Sequence, residues 1–207
     1  MHLLTLTRGG ATRQRHKFGY SVEEMGAVRL KEMRDVEQVL DLSGLTVLDF
    51  PDSGLKECDP RELEQAVAQE IRALRPHAVV TYPVHGVSGF HDHLVSHAVV
   101  KRVFLELRDS VAELQRLAFS TITEELARET TVFSMSHSTA EEIDCLVQVA
   151  AEDIEACRQA LDCYVTFQET IERTGIREKL RNEVAFEFFG ESFTPPVDDL
   201  FLGLEAR

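Results

Sequence analysis

The sequence predicts an α/β fold in which helices cover both faces of a mostly parallel sheet. The first half of the 207-residue chain alternates short apolar segments, typical of strands, with longer segments whose apolar residues recur at helical spacing. Such alternation is typical of parallel strands joined by crossover helices. The length suits one buried core. We therefore predict a single domain over 1–207, with a layered α/β/α part over 1–114 and further strands and helices over 115–207.

The first three predicted elements are a strand, a helix and a second strand. Residues 2–6 form an apolar run that ends at turn residues. Ser21 and Glu24 match a capping box, and apolar residues at helical spacing extend the helix over 22–40. A short apolar run over 45–50 predicts the second strand, and a turn follows it.

The next predicted elements lead into a histidine-rich loop. Asp59 and Pro60 match an N-cap followed by proline in the first helical turn, and an apolar stripe extends this helix to residue 74. Segment 78–82 is apolar and lies between prolines, which predicts a short buried strand. After the loop, apolar residues repeat every fourth position and predict a helix from about His93. The loop is a candidate site, because open α/β sheets place ligands at the carboxyl ends of their strands.

The second half of the chain has a different pattern, with more β-branched segments and longer gaps between them. The predicted elements are strands over 116–122, 130–135 and 143–149, a helix over 151–172, a further helix over 175–182 and a strand over 184–189.

Composition excludes several classes of protein. The net charge of −14 and the isoelectric point near 5.0 argue against a nucleic-acid partner, which would require clustered Lys and Arg. No apolar run approaches the roughly 20 residues that cross a bilayer, so we expect no membrane span. The four cysteines form no Cys-x-x-Cys pair, which argues against a zinc ribbon or a disulfide framework. We expect a soluble, cytoplasmic protein.

Four of the eight histidines lie between residues 85 and 97, which makes this the most chemically loaded segment. His93 and His97 are four residues apart, so both rings would project from one helix face, as two ligands of one metal ion do. Asp92 is adjacent, and a carboxylate beside an imidazole can fix its tautomer. Two structural alternatives stay open. Histidines at this spacing also occur on solvated helix faces, and Asp92 also suits a helix cap.

Six short segments follow one another in the order found in one known family. They are Thr7-Arg-Gly9, Arg29-x-x-Glu32-x-x-x-Val36-x-x-x-Leu40, Phe50-Pro-Asp-Ser-Gly-Leu55, Ile71-x-x-Leu-Arg-Pro76, Gly86-Val-Ser-Gly-x-x-Asp-His93 and Cys163-Tyr-Val-Thr-Phe-Gln168. Together they resemble the PIG-L/LmbE family of zinc-dependent de-N-acetylases. The resemblance implies a Rossmann-like fold of the LmbE type.

The resemblance also implies roles for particular residues. It implies that His93 is a zinc ligand and that Asp92 orients a catalytic imidazole. It further implies that Arg29 and Asp52 contact the sugar substrate. Each of the last two has a structural alternative, since Arg29 can pair with Glu32 on a helix surface and Asp52 can stabilise a turn.

The sequence departs from the family pattern at two places. Phe90 stands where the family has a histidine, and His91 follows one place later, so we assign the catalytic imidazole to His91. The family's first strand, which ends in His-Pro-Asp-Asp-Glu and supplies two zinc ligands, has no counterpart here. We therefore expect an N-terminally truncated version of the fold. Zinc binding by this chain as written should be weak or absent, although the complete enzyme would require Zn²⁺.

The sequence leaves two functions open for a protein of this fold. One is a zinc-dependent hydrolase that removes an acetyl group from an N-acetylglucosamine-type or related acyl-amide substrate by metal-activated water. The other is a metal-free, sugar-binding or regulatory pseudoenzyme of the same fold. An unrelated α/β protein with a histidine-rich loop is a third, more distant interpretation. We expect a small amino-sugar partner, and the resemblance is also compatible with a homo-oligomer.

Overall fold

The computed structural model describes residues 1–130 and 132–205. These residues form two compact units: Met1–Leu55 with Val149–Asn182, and Lys56–Gln148 with the segment from Glu183 onward. The helices and strands are, in chain order, β1 (His2–Thr5), α1 (Arg15–Phe18), α2 (Val22–Val39), β2 (Gly44–Val47), α3 (Pro60–Leu74), β3 (Ala78–Thr81), α4 (His91–Leu107), β4 (Arg116–Thr121), α5 (Glu124–Glu129), β5 (Cys145–Gln148), α6 (Ala151–Asp162), α7 (Gln168–Thr174) and β6 (Glu183–Phe188).

The first unit contains a two-stranded parallel sheet and the long helix α2. Strands β1 and β2 pair with His2 opposite Gly44. Helix α2 begins as predicted, because the Ser21 hydroxyl accepts the Glu24 N–H at 3.1 Å and the Glu24 carboxylate accepts the Ser21 N–H at 2.8 Å. Met25, one turn into the helix, is fully buried.

The predicted helix over 151–172 is wrong in its continuity, because the chain breaks into α6, a 3-10 turn over Val165–Phe167 and α7. In a continuous helix, the Thr166 N–H would donate to a carbonyl four residues earlier. It donates instead to the Glu32 carboxylate at 2.7 Å. A side chain from a distant segment therefore interrupts the helix, and no local pattern in the sequence indicates it.

Two other predicted elements do not form in the residues that the structure describes. Gly175 ends α7 in the left-handed conformation, with φ of 60°, and the predicted helix over 175–182 is replaced by turns. The predicted strand over 130–135 includes residue 131, which lies outside the described residues. Its described part contains no strand. Thr130 instead lies at the end of α5, where its hydroxyl donates to the Leu126 carbonyl.

The second unit contains a four-stranded sheet in the order β3-β4-β6-β5. Strands β3 and β4 are parallel, whereas β6 is antiparallel to both β4 and β5. The parallel pairs thus belong to the first four strands, and the antiparallel pairs to the C-terminal additions. Ala118, Cys145 and Phe188, on β4, β5 and β6, form a buried core cluster of this sheet. The predicted Rossmann-like α/β fold is confirmed.

Helices α3 and α4 pack against each other beside this sheet. Helix α3 begins as predicted, because the Asp59 side chain caps it and Pro60 is its first residue. The long helix α4 starts at His91, two residues before the predicted start. No helix in the described part of the chain is both long and apolar enough to cross a lipid bilayer.

Candidate functional site

The site begins with the sharp loop between β3 and α4. Three residues of this loop have positive φ, namely Gly86 at 66°, Val87 at 56° and Gly89 at 70°. Glycine adopts this conformation freely, but a β-branched valine rarely does. The bends bring the Gly86 carbonyl over the first turn of α4, where His93 is the third residue.

The His93 ring is fixed by its Nδ1 atom. That nitrogen lies 3.0 Å from the Gly86 carbonyl oxygen and 2.9 Å from the Ser88 hydroxyl. Because a carbonyl oxygen can only accept, Nδ1 carries the proton in the neutral ring. The lone pair therefore lies on Nε2, which is the nitrogen left to bind a metal ion, and the Gly86 carbonyl is a typical outer partner of a metal-binding histidine.

Two aromatic rings fix the plane of the His93 imidazole. Tyr82 stacks on it with ring centroids 3.9 Å apart and planes 10° apart. Phe90 contacts it edge-on, with centroids 5.7 Å apart. Burial raises the pKa of the Tyr82 phenol, so this residue stays neutral near pH 7. The ring is held by packing as well as by hydrogen bonds.

The other candidates of this loop lie at the start of α4. Phe90 occupies the N-cap position and makes no side-chain cap, so Asp92 does not cap the helix. Asp92 lies in the first turn, where its negative charge interacts favourably with the helix N-terminus. His91 is the first helical residue and is exposed. The structure thus places His91, Asp92 and His93 together on one helical turn.

His97 differs from the sequence-based expectation. The alternative of a solvated helix face, left open for histidines at this spacing, is wrong for His97, because only 7% of it is exposed. Its Nδ1 lies 2.8 Å from the Tyr82 carbonyl oxygen, and its ring packs on Phe119. Burial is the main cause that lowers the pKa of His97. This histidine is part of the packing beneath the loop.

The described residues do not by themselves fit a catalytic zinc ion. A catalytic zinc has three protein ligands and one open position. Residues 1–130 and 132–205 contain no group of three or more His, Cys, Asp or Glu side chains that could hold a metal ion. His93 offers one suitable nitrogen. The ligand set present is thus incomplete for that metal.

In the first unit, Arg29 is enclosed by acidic and aromatic side chains. Its guanidinium forms an ion pair with Glu32, three residues along α2. Its guanidinium carbon also lies 4.7 Å from the ring centroid of Tyr164 and 4.4 Å from that of Phe167. The predicted pair with Glu32 exists, but it does not lie on the surface, because Glu32 is 2% exposed.

Asp52 closes the turn after β1. One carboxylate oxygen accepts the Thr7 hydroxyl at 3.3 Å, and the other accepts the Ala11 N–H at 2.7 Å. Asp52 thus has a structural role, and it bridges residues that are distant in sequence. A substrate contact by Asp52 stays a prediction.

Glu32 has buried partners that the sequence motifs did not indicate. Its carboxylate accepts from Arg29, from the Thr166 N–H at 2.7 Å and from the Thr166 hydroxyl at 3.1 Å. The helical spacing of the sequence does indicate a buried position for Glu32, since Glu32 lies seven residues after Met25 and four before Val36. Both of these residues are buried on the same helix face. A charged residue at a core position of a helix requires buried partners.

The first half of the chain matches a known protein family. The sequence profile of the GlcNAc-PI de-N-acetylases (PIG-L) matches residues 1–104, which is half of the chain. The chain belongs to the GlcNAc-PI de-N-acetylase family. This membership confirms the resemblance that the sequence motifs indicated.

Individual relatives match shorter segments. A 1D-myo-inositol 2-acetamido-2-deoxy-alpha-D-glucopyranoside deacetylase from Nocardiopsis dassonvillei is 45% identical over 47 residues, which are 23% of this chain and 17% of that protein. The enzyme of the same name from Mycobacterium leprae is 30% identical over 92 residues, covering 37% of this chain and 30% of the enzyme. The chain therefore matches less than a third of the length of these curated relatives.

The fold is shared with solved structures of low sequence identity. The conserved protein TT1542 from Thermus thermophilus superposes with a TM-score of 0.61 at 21% identity. The match covers 94% of this chain and 84% of TT1542. At this identity the likeness establishes the fold and leaves the chemistry to the residues of the site.

Proposed function

We propose that this chain contributes to a zinc-dependent hydrolase that removes an acetyl group from an N-acetylglucosamine-type substrate. The observation that carries the proposal is the orientation of His93. Its Nδ1 is bound to the Gly86 carbonyl, and its Nε2 is left with the lone pair that a metal ligand needs. Family membership and the names of the two matched relatives support the substrate class.

The remaining candidates would have the roles that the family resemblance implies. His91 would supply the imidazole that stabilises the oxyanion or moves a proton, and Asp92 would orient an imidazole beside it. Arg29 and Asp52 would contact the sugar. The partner would be a small amino-sugar derivative. The free thiols of all four cysteines support a cytoplasmic location.

The zinc site requires ligands beyond those described. His93 is one ligand, and the described residues contain no group of three. Further ligands would have to come from sequence outside this chain or from a second copy of it.

A second candidate function is a sugar-binding or regulatory pseudoenzyme. The incomplete ligand set among the described residues is the observation that favours it. Such a protein would bind the N-acetylated sugar and release no acetate. It would also keep its affinity for the sugar after chelation, because no metal would take part in binding.

Acetate release distinguishes the two functions. The natural protein would be assayed on the 2-acetamido-2-deoxyglucosyl inositol named for the two relatives, before and after treatment with a chelator. A hydrolase should release acetate, lose this activity with the chelator and regain it with Zn²⁺. His93→Ala should lower turnover by about 100-fold or more. Sugar binding without any release of acetate would refute the hydrolase.

A further inference from the structure

A partly buried hydrogen-bonded cluster adjoins the β3–α4 loop that carries the Gly86 carbonyl. It consists of His85, Thr121, Ser138 and Glu187, all in the second unit. Ser138 is 1% exposed and Thr121 is 5% exposed. The Ser138 hydroxyl donates to the Glu187 carboxylate and lies 2.6 Å from the Thr121 hydroxyl and 3.4 Å from His85 Nε2. The proposed chemistry uses none of these residues.

The tautomer of His85 determines the direction of the hydrogen bonds in this cluster. The Val87 N–H donates to His85 Nδ1 at 3.1 Å, so Nδ1 carries the lone pair. The proton of neutral His85 is therefore on Nε2, which donates to Ser138. Ser138 uses its one proton toward Glu187, and its two lone pairs accept from His85 and Thr121. Each hydrogen-bonding position of the Ser138 hydroxyl is filled.

His85 connects this cluster to the loop that orients His93. Gly86, the next residue, provides the carbonyl oxygen that accepts the hydrogen bond from His93 Nδ1. Val87 follows with φ of 56°, a conformation that a β-branched residue adopts only when its surroundings impose it. Its N–H is bound to the His85 ring, and its carbonyl accepts the Ser136 N–H at 2.7 Å. Hydrogen bonds to the His85 ring and from Ser136 thus fix the backbone bend that directs the Gly86 carbonyl toward His93.

We propose that Glu187 and Ser138 are positioning residues that act through His85 to orient the imidazole of His93. Glu187 fixes the hydroxyl of Ser138, Ser138 fixes the ring of His85, and His85 fixes the backbone that presents the Gly86 carbonyl. The importance of this orientation for catalysis rests on the proposed function. The positioning itself is a property of the protein without metal or substrate.

The charged groups around the cluster are compatible with this role. Burial is the main cause that lowers the pKa of His85, with Glu142 opposing the effect and with His137 and His97 adding to it. The ring is therefore neutral near pH 7, as the bond from Val87 requires.

Burial likewise raises the pKa of Glu187, although the bond from Ser138 acts in the opposite direction. Glu142, Asp144 and Lys101 are the charged groups that act on this carboxyl. In either protonation state, the Glu187 carboxyl keeps an oxygen that can accept from Ser138.

The test measures the tautomer of His93 in the metal-free 207-residue chain by long-range ¹H–¹⁵N NMR of histidine side chains. In the wild-type chain, we expect roughly nine-tenths or more of neutral His93 in the Nδ1–H form. Ser138→Ala and Glu187→Ala should lower this fraction below about one half, because the loop is no longer fixed. Glu187→Gln should retain the wild-type fraction, because its amide oxygen can still accept from Ser138.

The matched control is Glu183→Ala, which removes an exposed carboxylate from the same strand and should leave the tautomer unchanged. His85→Ala provides a second route if a variant at a buried position does not fold, since His85 is only partly buried. It should shift the tautomer in the same way. An unchanged His93 tautomer in folded Ser138→Ala or His85→Ala overturns the inference.

The result is separable from the proposed function, because neither zinc nor a sugar is present in the measurement. A shifted tautomer in a protein that releases no acetate would support the positioning role and refute the hydrolase. An unchanged tautomer in a protein that does release acetate would refute the positioning role and support the hydrolase.

Discussion

At the scale of single residues, the structure shows two hydrogen-bonded carboxylates, of which Glu32 is buried and Glu187 is partly buried. Glu32 neutralises Arg29 and satisfies the backbone of Thr166 in the first unit. Glu187 accepts from Ser138 in the second unit. A buried carboxylate is costly unless its partners remain, so substitutions at these positions have predictable and different consequences.

Glu32→Ala should strongly destabilise the protein. The substitution leaves the enclosed Arg29 guanidinium and the Thr166 N–H without their acceptor, which typically costs about 3–5 kcal/mol. Glu32→Gln should cost less, because its amide oxygen can still accept from Thr166. Urea unfolding followed by circular dichroism measures both. Exposed Glu23, on the same helix, provides the control, and a change of less than about 0.5 kcal/mol for Glu32→Ala would contradict the structure.

Glu187 should make stability depend on pH in the acidic range. Its pKa is raised by burial above the usual value of 4.5, so the folded protein holds this proton at pH values where the unfolded chain has lost it. The carboxyl therefore favours folding at low pH, and this contribution is lost as pH rises from about 4.5 through the folded-state pKa.

Glu187→Gln should remove this part of the pH dependence. The difference in unfolding free energy between the variant and the wild type, measured in urea at several pH values, should move in favour of the variant as pH rises through that window. Glu183→Gln, at an exposed position of the same strand, should show no such trend. A difference that stays constant with pH would rule out a buried carboxyl with a raised pKa.

At the scale of elements, local sequence patterns predicted correctly where helices begin. They did not predict where a helix is interrupted. The capping box of Ser21 and Glu24 and the N-cap Asp59 involve neighbours in sequence, so the chain alone reveals them. The break before α7 depends on Glu32, more than a hundred residues away from Thr166. Antiparallel pairing of β6 likewise depends on partners that are distant in sequence, which short-range periodicity does not encode.

Asp144 shows how one side chain joins elements of the second unit. It is buried, and its two oxygens accept the Phe188 N–H at 2.8 Å and the Phe193 N–H at 3.1 Å. Asp144→Ala should destabilise the protein by about 2–4 kcal/mol, because two backbone donors lose their acceptors. Asp144→Asn keeps one acceptor and should cost roughly half as much.

Hydrogen exchange of these two amides is the most direct measurement. Both should exchange faster in Asp144→Ala, with Phe193 unprotected in Asp144→Asn if the amide oxygen stays on Phe188. Exposed Glu141 offers a nearby control, because Glu141→Ala removes a carboxylate without removing these bonds. Unchanged protection of Phe188 and Phe193 in Asp144→Ala would show that Asp144 does not hold them.

At the scale of the whole molecule, family membership and the α/β fold could be inferred from short motifs in the right order. The identity of His93 as a ligand candidate could be inferred in the same way, since Asp92-His93 lies in a recognisable segment. The tautomer that leaves Nε2 available could not, because it depends on the positive-φ bend at Gly86 and Val87. The cluster of Ser138 and Glu187 was also beyond sequence reasoning, since its members come from segments far apart in the chain.

We propose that the described residues contribute one zinc ligand, His93, and do not form a complete zinc site. Zinc titration of the purified 207-residue chain by calorimetry, with His93→Ala as the matched variant, tests it most directly. We predict weak binding, with a Kd above about 1 μM, which His93→Ala abolishes, because one imidazole cannot replace three ligands. One equivalent of zinc bound with nanomolar affinity would refute the incomplete site, and binding that survives His93→Ala unchanged would refute His93 as its ligand.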